Sequence, residues 1–179
     1  MTPLRCSAFA WLLLSSLIVL VPSTSVAAPT CFHVCFSAKK LPSDVTDQTL
    51  RETMQACRDS CEKDARERLI SEGLGPLLKS CIPEPVSETE LKTVRSASTS
   101  VVAFANAFTW DVHNVLPDKI IRRVELATQT MSLEDIVLSA SGYLAPGETG
   151  TFYIGNIPDG YPAVRVTTRI QAIYACTKP

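Results

Sequence analysis

The sequence lacks most of what a catalytic or cofactor site is built from. It has no Cys-x-x-Cys redox pair, Gly-rich phosphate loop, Gly-x-Ser-x-Gly elbow or His-Glu-x-x-His helix. Only two histidines are present, His33 and His113, so imidazole-based schemes have few options. Basic charge is not in excess either, with 17 Lys and Arg against 18 Asp and Glu. Phosphate neutralisation drives nucleic-acid binding, so this balance argues against a nucleic-acid partner. Neither a cofactor nor a metal is expected, and the chain is not expected to be an enzyme.

Long apolar runs are scarce too. The first one, from Phe9 to Val21, follows the lone charge of Arg5 and falls short of the ~20 residues that span a bilayer. Ser25-Val26-Ala27 then supplies the small-x-small form read by signal peptidase. We expect residues 1–27 to be a signal peptide cleaved after Ala27, the alternative being an uncleaved anchor. The chain from Ala28 onward has no second run of membrane-spanning length. It carries 16 basic and 18 acidic residues.

Six cysteines follow the cleavage point: Cys31, Cys35, Cys57, Cys61, Cys81 and Cys176. An even number in an exported chain reads as three disulfides. The first four repeat one unit, Cys-x3-Cys, and a spacing of four puts both members on one helix face. In an antiparallel hairpin the outer residues meet and the inner residues meet, which predicts Cys31–Cys61 and Cys35–Cys57. Cys81–Cys176 is the pair left over. The second helix is marked by Leu50, Met54, Cys57, Cys61 and Ala65 at helical spacing, with Thr46 or Asp47 to cap it and Gly73, Gly75 and Pro76 to end it. The first runs roughly from Thr30 to Lys40. Residues 28–81 are thus expected to form a stapled helical hairpin. They resemble the twin-CX3C helical hairpins over residues 31–61, which implies the geometry and carries no activity. Zinc on the four thiolates, with His33 as an extra ligand, is the rival arrangement. His33 otherwise reads as an exposed helix residue.

Residues 82–100, with Pro83, Pro85, several Ser and Thr and alternating charge, read as a linker that packs in part on the C-terminal half. Beyond it the period becomes two. Val102, Phe104, Phe108, Trp110 and Val112 are expected on one face. So are Ile120, Val124, Leu126 and Thr128, and then Val164, Val166, Thr168, Ile170, Ala172, Tyr174 and Cys176. Turns are supplied by residues 113–118, 145–150 and 158–160. Residues 101–179 therefore read as an antiparallel sandwich, and the fold class as α+β: a stapled hairpin followed by a small Ig-like sandwich. Asp111-Val112-His113-Asn114, Pro117-Asp118-Lys119-Ile120-Ile121, Val124-Glu125-Leu126 and Leu144-Ala145-Pro146-Gly147-Glu148-Thr149-Gly150-Thr151-Phe152 resemble the bacterial Ig-like domains of the FxLYD type. That resemblance implies an envelope or extracellular interaction domain.

Candidate site residues are few. Asp111 and His113 share a strand face, where an acid could orient an imidazole, yet no nucleophile accompanies them. Tyr143, Tyr161, Arg122 and Arg123 are the candidate binding surface. The expected function is a non-enzymatic, periplasmic or secreted module that binds another protein, as an accessory or assembly subunit of a bacterial envelope complex. A secreted effector, inhibitor or toxin acting through the hairpin is the alternative, and a metal-dependent or hydrolytic enzyme ranks third.

Overall fold

Two threonines start the N-terminal helices. Thr30 and Thr46 are extended, and the side chain of each accepts the backbone N–H three residues on. Helix α1 spans Cys31–Ala38 and α2 spans Asp47–Leu69. The computed structural model describes residues 28–130, 134–155, 157 and 168–178; the expected signal peptide and Tyr161 lie outside them. After α2, a π-helical turn over Ile70–Leu74 ends the run because Gly73 takes φ +85°, open to glycine at little cost. Gly75 and Pro76 begin α3, Gly75–Ser80. Disulfides join Cys31 to Cys61 and Cys35 to Cys57, with Cα atoms 5.9 and 5.6 Å apart, so α1 and α2 form a two-rung ladder.

The segment 82–100 contains a strand and a helix. Strand β1, Glu84–Pro85, pairs with the final strand. Helix α4, Glu88–Ala97, opens on a capping box: Ser87 Oγ accepts from Glu90 N–H, and the Glu90 carboxylate accepts from Ser87 N–H. Val94 of α4 is fully buried in the main core, with Val86 and Leu91 packed against it. Burying such a side chain contributes about 1.5–3 kcal/mol.

Strands β2 (Val102–Phe104), β3 (Ala107–His113), β4 (Lys119–Gln129), β5 (Asp135–Leu144), β6 (Thr149–Ile154) and β7 (Arg169–Thr177) complete two antiparallel sheets, ordered β1-β7-β4-β5 and β2-β3-β6. Phe108, Trp110, Val112 and Phe152 of one sheet meet Ile121, Val124, Leu126 and Ile173 of the other. The fold is α+β, helices linked by disulfides and then antiparallel sheets.

Simple alternation fails at three points. Ala105 and Asn106 take φ +50° and +56° in a two-residue turn, so Phe104 faces Ala107 and Val102 faces Thr109. Val102 and Phe104 therefore lie on the outer face, 55% and 53% exposed, opposite Phe108, Trp110 and Val112. A register shift between Ile121 and Arg123 puts Ile121, Val124 and Leu126 in the core and leaves Ile120 on the other side, against Leu69, Leu74, Leu77 and Leu78. A second shift, between Glu125 and Leu126 on β4, skips Gln171 of β7. Ile170 and Ile173 thus share the core while Ala172 and Tyr174 sit opposite. Cys176 pairs with Ile120 in the ladder and is buried, bonded to Cys81 just past α3. Val164 and Val166 lie outside the described residues.

The hairpin is seated on the outer face of the three-stranded sheet. Phe32, Met54 and Cys57 pack on Ala107 and Tyr153, and the Tyr153 hydroxyl donates to Arg51 O. Burial pushes the Tyr153 phenol pKa up, partly offset by Arg51. Helix α2 runs along β5 and β6, one seam of the sandwich, while α4 fills the seam between β3 and β7.

Candidate functional site

Strands β5 and β6 are edge strands of different sheets, joined by the tight turn Ala145–Glu148 in which Gly147 takes φ +75°. Helix α2 lies across them and is pinned at two places. Arg58 donates to Ser141 Oγ at 2.8 Å and to Ser141 O at 3.3 Å, and pairs with Glu62 at 2.8 Å. Ten residues on, Arg68 pairs with Glu148 at 2.7 Å, and the same Glu148 oxygen accepts the N–H of Ala145. Between the two clamps lies a cleft of about 420 Å³. Cys61 and Ala65 of α2, Tyr143 and Phe152 of the sheets and the segment Ala28–Phe32 wall it, and Glu62, Asp64 and Glu148 stand with the two arginines around it. Gly142 serves this wall by its missing side chain: a Cβ there would come within 2.8 Å of Phe152 Cε1.

Of the four sequence-chosen binding residues, two come together. The Arg122 guanidinium lies 4.0 Å above the Tyr143 ring and its Nε–H donates to Gly142 O, so both stiffen the cleft's β5 wall. Arg123 instead lies 3.7 Å over Tyr174 and pairs with Glu125, which also accepts from the Tyr174 hydroxyl. Arg58, Glu62, Arg68 and Glu148 are not among the candidate binding residues that the sequence singles out. A signal was there in part: Arg58, Glu62, Ala65 and Arg68 recur at three- and four-residue steps along the side of α2 that carries Cys61.

Comparison with known proteins finds no matching family model, no matching curated protein and no matching solved structure.

Asp111 meets the other histidine. Its carboxylate takes His33 Nε2 at 2.8 and 3.0 Å and accepts the Thr151 hydroxyl at 2.6 Å. Thr151 in turn meets Thr30, the cap of α1, at 2.6 Å. His113 turns to Thr149 Oγ1 at 3.0 Å. The arrangement fixes the start of α1 to β3 and β6; an Asp111–His113 pair is not formed. His33 is half exposed at 46% and is engaged by Asp111. All six cysteines among the described residues are in disulfides, and those residues hold no group of three or more His, Cys, Asp or Glu arranged to hold a metal ion. No helix among the described residues is long and apolar enough to cross a membrane. Three disulfides mark an oxidising, extracytoplasmic setting.

Proposed function

We propose that the protein is an exported, non-enzymatic protein-interaction module whose cleft between α2 and the β5–β6 seam receives a segment of a partner protein. The cleft itself carries this reading. Its walls are preorganised by two guanidinium clamps and a disulfide, so little ordering is needed on binding. It offers an aromatic ring and arginines, the side chains most enriched where binding energy concentrates. Both described histidines are occupied in holding strands and α1, which favours a binding role over an acid–base one.

The two resemblances support the setting. Strand β3 pairs with β6 in one sheet, while β4 lies between β5 and β7 in the other, the connectivity of an Ig-like key. The Asn114 turn and the Pro146-Gly147-Glu148 turn, the two marks of the FxLYD outline, bond to each other: Gly147 N–H donates to Asn114 O and Asn114 N–H to Glu148 O. The two-rung ladder has the twin-CX3C form. We place the protein in a bacterial envelope, matured by loss of Met1–Ala27, as an accessory or assembly subunit. A released effector working through the hairpin is supported less, because Phe32, Met54 and Cys57 are spent on the sheet.

A photo-crosslinking residue at exposed Asp64, beside the cleft, is expected to capture one defined envelope protein in the native host. The same residue at Lys92 on α4, at the other seam, should not. Equal capture at both sites refutes the cleft as the interface. Intact mass of the exported chain should place its first residue at Ala28; retained Met1 refutes the maturation.

A further inference from the structure

The three disulfides are not equally placed. Cys57 and Cys176 are buried to 0% and 1% exposure, so neither of their bonds offers an attacker both sulfurs. Cys31 is exposed, Cys61 is half-buried, and both line the cleft between α2 and the seam. The other four cysteines line neither that cleft nor the shallower one along Arg51, Gln55 and Tyr153.

The chemistry of the two sulfurs differs as well. Cys31 is the first residue of α1, where the backbone N–H groups of the opening turn point at negative charge. A thiolate released there is stabilised, and a stabilised thiolate leaves faster in disulfide exchange. Cys61 lies in the interior of α2 and has no such help. We infer that the Cys31–Cys61 bond is a thiol–disulfide exchange site, with Cys61 taking the incoming sulfur and Cys31 leaving. The incoming thiolate forms a sulfur–sulfur bond to Cys61 as the Cys31–Cys61 bond breaks, and the bonding pair departs on Cys31 Sγ. A second thiol can displace Cys61 from the mixed disulfide. Two thiols are then oxidised to one disulfide and the Cys31–Cys61 bond is reduced to two thiols, so electrons balance without another reagent.

Opening this rung need not release α1. The Cys35–Cys57 rung remains, as do the Asp111–His33 pair, the Thr30–Thr151 bond and the packing of Phe32 on Tyr153. The site can therefore cycle on a folded protein. None of this rests on a protein occupying the cleft.

The test uses the oxidised exported chain, unreduced, with cysteamine as the thiol. Samples are quenched in acid, alkylated and mapped by mass. Cysteamine is expected on Cys61, with Cys31 alkylated, at least about tenfold faster than any thiol appears at the other four cysteines. The far-ultraviolet dichroism should stay unchanged. Glutathione should open the same pair first and with the same polarity. First opening at Cys35–Cys57 or Cys81–Cys176, either thiol on Cys31, or loss of the dichroism signal overturns the inference.

Discussion

Replacing Asn114 by Ala removes the side chain that ties two loops together. Asn114 has no exposed surface, and its amide makes three bonds: Nδ2 donates to Lys119 O at 2.8 Å and to Leu144 O at 2.9 Å, and Oδ1 accepts Leu116 N–H at 3.1 Å. Its backbone bonds to Gly147 and Glu148 do not depend on the side chain. In Asn114→Ala the three partners stay where they were. Leu116 and Leu144 are buried, so their N–H and C=O are left without water, at about 1–3 kcal/mol each. Lys119 is half-buried and its carbonyl is partly rehydrated. The expected loss is about 3–5 kcal/mol, and at roughly 2–4 °C per kcal/mol for a chain of this size the Tm should fall by about 6–20 °C. Trp110, 4% exposed and donating to Thr99 O, reports unfolding by fluorescence. Asn114→Asp sharpens the test, because a carboxylate faces two carbonyls where an amide donated. It should be at least as damaging at neutral pH and recover in part as pH falls and the carboxyl regains a proton to donate. A loss under about 1 kcal/mol in the Ala variant, or an Asp variant as stable as wild type, refutes the reasoning.

Three further outcomes follow from single features. Cys81→Ser with Cys176→Ser opens a loop of 95 residues and should lower the urea-derived stability by up to about 4–5 kcal/mol on the chain-entropy model; an unchanged midpoint counts against it. The Glu90 carboxyl is held below its usual 4.5, chiefly by the Lys119 hydrogen bond and then by Ser87 N–H. Its stabilising contribution is therefore full above 4.5 and lost as pH falls through the folded value. Wild type and Glu90→Gln should differ at neutral pH and converge in acid, whereas parallel pH–stability curves exclude the linkage. Gly142→Ala sets a methyl against the Phe152 ring and should cost about 1–3 kcal/mol in a thermal melt, an unchanged Tm meaning that the ring yields.

How much of this was legible depended on range. The ladder was readable because four-residue spacing on a helix is a local rule, and two such pairs leave one antiparallel match. The β faces were readable only between interruptions. Ala105-Asn106, the shift beside Arg122 and the skipped Gln171 each reverse the parity, and none of the three carries a strong residue signature. Ala105 is an unusual choice for a left-handed turn position, so nothing announced the hairpin. Helix α4 was concealed by composition, although Ser87-x-x-Glu90 followed by Leu91 and Val94 was a usable sign. Asp111 shares a strand face with its neighbour His113 by sequence, but its partner His33 lies 78 residues away, beyond any local pattern. The cleft was invisible for the same reason, since Arg58 and Arg68 find Ser141 and Glu148 only when α2 is laid on the seam.

The spans of the three disulfides also set an order in time. The rungs close over 22 and 30 residues, and all four of their cysteines precede the first strand. A chain emerging with its N-terminus first can finish both rungs before any sheet residue appears. At that moment Cys81 has no correct partner, because Cys176 belongs to the strand that arrives last. Early closure of the ladder then works as a safeguard on pairing: it withdraws four thiols from the pool, so the late Cys176 meets Cys81 alone and one bonding pattern is reached without shuffling.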